Sequence, residues 1–286
     1  MINPRILRHR IRSIQSTAKI TKAMEMIATA KMRRAQEQAL AGRPYAEKIS
    51  RVIADLAAEP WGNGAIHPLL ERREAKRIAI VQISTDRGLC GGLNANLNRM
   101  VAVFILEQKV PVTLVTVGRK GRDFMIRYGR DIRAEFTGIS DRPALLDTLP
   151  ISRVVIDDYI SGYVDLVYLA YSRFISTMVQ RPTLEPLLPV EPATLPAIQS
   201  VEYIYEPDPR FVLGQLLPRF VQMEVYHAIL ESIASEQSAR MVAMRNATDS
   251  ANELIGDLTV TLNKARQEMI TKELLDITGG AEALRT

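Results

Sequence analysis

The stretch "SARMVAMRNATDSANELIGDLTVTLNKARQEMITKEL", residues 238–274, contains no proline and one glycine, Gly256, and it lies in a run without proline that follows Pro218. Across and just before it, Leu230, Ala234, Gln237, Met241, Met244, Thr248, Ala251, Ile255, Leu258, Leu262, Ala265 and Met269 advance by alternating steps of four and three. That is a coiled-coil seam, with Gln237 and Thr248 as polar breaks. A helix of roughly sixty residues is on the order of 90 Å long. Its apolar stripe must be covered if it is to stay helical in water.

The cover is found at the other end of the chain. Leu7, Ile11, Ile14, Ala18, Thr21, Glu25, Ala28, Met32, Ala35 and Ala39 again advance by fours and threes, with Thr21 and Glu25 as polar breaks. A second stripe, Ile20, Met24 and Ile27, makes this face broader than one partner helix requires. Charge agrees with the match. Residues 1–34 carry nine Lys or Arg against one acid, a net of +8, while residues 221–286 carry six basic and ten acidic side chains, a net of −4. The expected fold is therefore an antiparallel coiled coil of the two chain ends with the middle of the chain inserted; the alternative is an ordinary bundle with more frequent breaks. Gly42 and Pro44 are expected to bend or break the first helix, after which Ile49, Val52, Ile53 and Leu56 restore an apolar face up to the turn-like "EPWGNGAIHP" (59–68).

The middle has another rhythm. "RIAIVQIS" (77–84), "VPVTLVTVG" (110–118) and "RVVIDDY" (153–159) read as strands, with helices over "NLNRMVAVFILEQK" (96–109) and "ALLDTLP". Such alternation indicates a small α/β domain with a partly parallel sheet. "DLVYLAYSRFISTMVQRPTLEPLLP" continues as a strand with alternation and then strand or extended chain, and the prolines from Pro182 to Pro209 exclude regular helix there.

Composition narrows the function. A chain of 286 residues with 47% hydrophobic side chains has ample core material for one large or two modest domains. One cysteine and three scattered histidines, His9, His67 and His227, exclude a disulfide framework and make a local metal cluster a poor reading. No apolar run is long enough to span a bilayer, and "MINPRILRHRIR" lacks the apolar core of a secretory signal, so a soluble chain is expected.

The candidate chemical groups are weak. "ISTDRGLCGGLNANL" stands between a strand and a helix as a phosphate loop would, but it fits neither standard glycine motif and offers no lysine for a terminal phosphate. A structural turn is the better reading. Asp157 and Asp158, if on a strand, point to opposite faces and cannot pair as acid and base. Cys90 has Arg87 nearby but no histidine, leaving an unactivated thiol, and His227 sits with Glu224 and Glu231 as a helix-surface group. The basic runs "RILRHRIR" and "KMRRAQ" have few aromatics to stack bases, so docking to an acidic helix or protein surface is preferred to nucleic acid. No catalytic constellation, cofactor site or metal site emerges.

Three stretches carry a resemblance. "IRSIQSTAKITKAMEMIATAKMRRAQ" (11–36), "STDRGLCGGLNANL" (84–97) and "SARMVAMRNATDSANELIGDLTVTLNKARQEMITKELLDITGGAEAL" (238–284) resemble, in order and spacing, the signature regions of the gamma subunit of rotary ATP synthases. The resemblance covers the whole chain. It implies a long antiparallel coiled coil of the N- and C-terminal helices with an inserted Rossmann-like α/β domain, bounded at 1–57, 58–209 and 210–286. It also implies a non-catalytic rotor shaft coupling proton or sodium flow to ATP synthesis and hydrolysis, with a part in regulating ATPase activity. The implied partners are a hexamer of three alpha and three beta subunits, the epsilon subunit and the membrane ring of c subunits, at the cytoplasmic face of the cell membrane. No nucleic acid and no nucleotide would bind directly.

Residue by residue, Arg266 and Gln267 match the family's polar contacts to a beta-subunit loop, and Thr271 and Glu273 match its coupling-sensitive positions. Lys22 and Met24 match the N-terminal segment that works against them, Arg33 and Arg34 match basic shaft residues near acidic levers, and Gly88 and Gly91 lie in a glycine turn that approaches a beta subunit. The chloroplast branch carries an inserted cysteine pair. Cys90 is the only thiol here, which implies a bacterial form without that redox control. A non-rotary coiled-coil scaffold with an α/β interaction domain is the competing reading.

Overall fold

A computed structural model describes residues 4–58, 67–191, 206 and 208–283. Most of the turn-like stretch 59–68, and Pro192, Pro196 and Pro207 of the proline-rich stretch, lie outside the described residues. The chain divides into two compact units, one of residues 28–240 and one joining the residues up to Ile27 with those from Met241 onward.

Two helices dominate. Helix α1, Pro4–Ala58, has 55 residues, and helix α5, Pro209–Ala283, has 75. Asp208 starts α5: its Oδ1 accepts the N–H groups of Arg210 at 2.8 Å and Phe211 at 3.0 Å, and Pro209 occupies the first helical position, where no N–H is needed. The expected break at Gly42 and Pro44 does not occur. Pro44 lies inside the helix beside the exposed Leu40, whose carbonyl can bond water in place of the missing N–H. Gly42 serves close approach instead, since a Cβ there would come within 2.5 Å of His227 Cε1 on α5. Helix α5 likewise passes through Pro218, so it begins earlier than the run free of proline.

In the larger unit, strands β1 (Ile78–Ile83), β2 (Val112–Val117), β3 (Ile132–Phe136), β4 (Leu166–Phe174) and β5 (Gln180–Leu188) form one sheet in the order β3-β2-β1-β4-β5. The first four are parallel and β5 pairs antiparallel with β4 at the edge, where Pro182 and Pro186 withhold no N–H from a further strand. Helices α2 (Leu93–Glu107) and α3 (Arg119–Arg127) cover one face, packing Leu97, Val101 and Met125 on Ile78, Ile80 and Leu114. Helix α4 (Leu145–Ile160) with parts of α1 and α5 covers the other, against Ala79, Val81, Val115 and Val117. All six residues of β1 are buried, as a central parallel strand requires.

Two expectations for this unit are corrected. Residues 153–159 are not a strand but the second half of α4: Thr148, Ile151, Ser152, Val155, Ile156 and Tyr159 are buried at helical spacing, and this outweighs the β-branched run. Asp157 and Asp158 accordingly sit on a helix, Asp157 exposed and Asp158 bonded to Arg133 Nη2 at 3.1 Å. The third parallel strand is β3, whose "IRAEF" alternates half-buried and exposed positions at the sheet edge.

Candidate functional site

In the smaller unit the two terminal helices run antiparallel. The predicted seam of α1 is buried at Leu7, Ala18, Thr21 and Glu25 and half-buried at Ile11 and Ile14, while Ile20 and Ile27 beside it are exposed. Thr21 Oγ1 meets Thr248 Oγ1 at 2.7 Å, and Arg245 Nε donates to Glu25 Oε1 at 3.0 Å. A step of four forward on α1 thus answers a step of three backward on α5. Each threonine hydroxyl has one proton, and the backbone carbonyls of Ala18 and Met244 lie within 3.1 and 2.8 Å of Thr21 and Thr248. One hydroxyl therefore donates to the other, which donates to its own helix.

Glu25 is only 5% exposed yet charged. Lys22 Nζ donates to its Oε2 at 2.9 Å while Arg245 takes the other oxygen. The Lys22 hydrogen bond first, then Arg245, hold the carboxyl below its ordinary range against the opposing effect of burial. A single polar layer of this kind in an apolar seam fixes its register.

That register shows how far the pairing extends. With Thr21 opposite Thr248, Pro4 lies opposite about residue 265, and α5 continues to Ala283 with no α1 beside it. Its seam is half-buried at Ile255, Leu258, Leu262 and Ala265 and exposed at Met269. Met269, Ile270, Leu274, Leu275 and Ile277 are all exposed apolar side chains on this overhang.

The glycine turn belongs to the larger unit. Between β1 and α2, Leu89 and Gly91 take φ of +64° and +58°, so the chain reverses tightly and leaves Leu89 62% exposed. Arg240 Nη2 on α5 donates to the Gly88 carbonyl at 3.2 Å and to Glu236 Oε1 at 2.6 Å. Cys90 is buried beneath the turn, and burial raises its thiol pKa. The polar groups that a bound phosphate would use are engaged by the protein. Thr85 and Asn94 bond each other across the turn, and Asp86 accepts from Arg119 N at 3.0 Å and Gly138 N at 2.7 Å. A carboxylate thus sits at the N-terminus of α3, where an anion would otherwise be favoured.

The structure distributes the predicted site residues over four places. Lys22 and Met24 lie at the polar layer, Lys22 exposed and Met24 half-buried; Gly88 and Gly91 form the turn; Arg266, Gln267, Thr271 and Glu273 are all exposed on the overhang. Lys22 and Arg266 do not meet, because roughly nineteen residues of α5, about 28 Å, separate the position opposite Lys22 from Arg266. Arg33 and Arg34 are exposed on α1, whereas their neighbour Lys31 bonds Asp141 Oδ2 at 2.5 Å. Sequence reasoning noted Thr21, Glu25 and Thr248 as breaks in two stripes without pairing them, and passed over Arg245 and Arg240. Counting the polar seam positions inward from each end would have matched Thr21 with Thr248, but would have set Glu25 against Gln237 in place of Arg245. Among the described residues no group of three or more His, Cys, Asp or Glu can hold a metal, and no described helix is long and apolar enough to cross a membrane.

A structural polar layer, an engaged turn and an uncovered apolar helix end define a protein that works by contact with other chains. The family described as ATP synthase matches residues 3–284. The ATP synthase gamma chain of Dehalococcoides mccartyi is 64% identical over 284 residues, covering 99% of this chain and 100% of that one. The ATP synthase gamma chain of Herpetosiphon aurantiacus is 48% identical over 293 residues, covering 99% of each. Among solved structures, a chain of the central stalk and c ring of Tetrahymena thermophila mitochondrial ATP synthase superposes with a TM-score of 0.62 at 25% identity, covering 80% of this chain and 99% of that one. The chain belongs to the ATP synthase gamma-chain family. It is a non-catalytic subunit of bacterial type, the rotor element that couples to the catalytic subunits.

Proposed function

We propose that the overhang of α5 is the part of the rotor that enters a sleeve of three alpha and three beta subunits, with Arg266, Gln267, Thr271 and Glu273 contacting one beta subunit at a time. The observation that carries this reading is the exposed apolar run from Met269 to Ile277 on a helix end that has lost its partner. Exposed apolar surface of that extent is tolerated when another chain covers it. Rotation of an asymmetric shaft then holds the surrounding sites in different states and shifts their populations in turn. The exposed Arg33 and Arg34 supply a charged collar, and the Leu89 turn supplies a third contact to a beta subunit.

The α/β unit is assigned to contacts with the epsilon subunit and the c ring, through which proton or sodium flow drives rotation and ATPase activity is regulated. This places the chain peripherally at the cytoplasmic face of the cell membrane, with its working regions at 1–57, 58–209 and 210–286.

The double variant Arg266→Ala, Gln267→Ala tests the reading in the reconstituted complex. Loss of charge-assisted contacts with a beta subunit should cost about 2 to 5 kcal/mol of assembly or coupling, while the isolated chain melts as before. Unchanged complex yield together with unchanged ATP-driven ion pumping would overturn it.

A further inference from the structure

The outer surface of α2 and α3, on the α/β unit and apart from the shaft contacts proposed above, carries a groove of about 710 Å³. Arg99, Val103 and Leu106 line it from α2 at i, i+4 and i+7, and Lys120, Phe124 and Arg127 line it from α3 at the same spacing, with Tyr128 closing its far end. The α2 stripe is basic at Arg99 and apolar beyond, and the α3 stripe is apolar at Phe124 between two cations, Lys120 and Arg127. Leu106 is 71% exposed and Tyr128 61%.

The groove also carries charge. Arg122 and Arg133 nearby are paired with Asp123 and Asp158. Arg99, Lys120 and Arg127 form no ion pair among the described residues. Lys120 also stands in the first turn of α3, where the helix dipole disfavours a cation, so local helix stability gives no reason for it. Behind the groove, Asn98 accepts from Gln82 Nε2 at 2.7 Å, and the fully buried Gln82 Oε1 has no hydrogen-bond partner among the described residues.

We infer that this groove docks an acidic amphipathic helix of another protein chain. Its recognition follows from the spacing. Lys120 and Arg127 are seven residues apart, about 10 Å along α3, which matches carboxylates at i and i+7 of a helix laid along the groove. An apolar residue at i+3 or i+4 of that helix would sit over Phe124 and against Val103 and Leu106, in the helix-in-groove manner. Arg99 faces the same first carboxylate from α2. The rim charges supply orientation and encounter rate, and the apolar floor holds the complex.

The probe is p-benzoylphenylalanine, placed at Leu106 and, separately, at Tyr128, in the assembled ATP synthase containing this chain. After irradiation, mass spectrometry of the adducts should give the same protein segment from both sites, helical in pattern, with two acidic residues seven apart flanking an apolar one. The variant Arg99→Glu, Arg127→Glu should lower adduct yield by at least about fivefold at unchanged complex yield, and raised salt should lower the wild-type yield. Adducts with lipid alone, no protein adduct from either site, a segment without the acidic pair, or yields indifferent to charge reversal would each overturn the proposal. Should the charge-reversed chain fail to assemble, Lys120→Gln with the same crosslinker provides the milder arm, with a smaller fall expected and no fall contradicting it.

Discussion

The α/β unit and the paired chain ends bury their apolar residues in opposite ways. In the former, β1 is enclosed on both faces by α2 and α3 on one side and by α4, α1 and α5 on the other. In the latter, a single seam is covered, Ile20, Ile27 and Val260 remain exposed, and beyond residue 265 even the seam positions are open. A self-sufficient core and a helix surface finished by other chains therefore coexist in one sequence. The difference is one of partners more than of hydrophobicity: both regions are rich in Ile, Leu and Met, and only one closes them within the chain.

The contrast is broken most severely in the core. Ile80→Ala removes a fully buried side chain between the sheet and α2, and it should cost about 2 to 5 kcal/mol in urea denaturation of the isolated chain. A loss under about 1 kcal/mol would mean that the core collapses around the change and is less enclosed than described. Next comes Gly118→Ala. Gly118 has φ +92°, and its Cβ would fall 2.2 Å from the Ser84 carbonyl oxygen, so backbone shift and strain should cost roughly 2 kcal/mol in the same assay.

The seam should respond more gently. Thr21→Val removes one hydroxyl of the buried pair and should cost about 1 kcal/mol, whereas adding Thr248→Val, which removes both, should recover part of that loss. Strict additivity in this double-mutant cycle would contradict a direct bond. Glu25 supplies a smaller, pH-dependent contribution. Its folded pKa is depressed, so its stabilisation is present above the ordinary carboxylate pKa and is lost as pH falls through the lowered value. Glu25→Gln should flatten the stability profile in that acidic window and leave its slope near neutrality unchanged. The smallest effect belongs to the overhang: Leu275→Ala should change the stability of the isolated chain by no more than about 0.5 kcal/mol, because this side chain is exposed among the described residues.

The sequence was most readable where the periodicity was long. The fours and threes on each chain end foretold the antiparallel seam, including the polar breaks at Thr21, Glu25 and Thr248, because ten seam positions on one end and twelve on the other average out local noise. It was least readable where a short run satisfied two patterns. Val154, Val155 and Ile156 looked like strand because they are β-branched, yet Thr148, Ile151, Ser152 and Tyr159 around them complete a helical face. Strand β3 escaped notice because Arg133 and Glu135 point outward from an edge and leave little apolar signal. Pro44 misled for a related reason: a helix held on one side by the core tolerates one missing hydrogen bond on its exposed side. The pairing of Glu25 with Arg245 could not be read directly, since register depends on both helices at once.

Hydrogen exchange of the free chain against the assembled complex compares the two regions in one experiment. Backbone amides of residues 266–278 on α5 should exchange readily in the isolated chain and gain at least about tenfold protection on assembly, while those of β1, residues 78–83, are equally protected in both. Equal exchange of residues 266–278 in the free and assembled states would contradict the claim that this end of the helix is completed by the surrounding subunits.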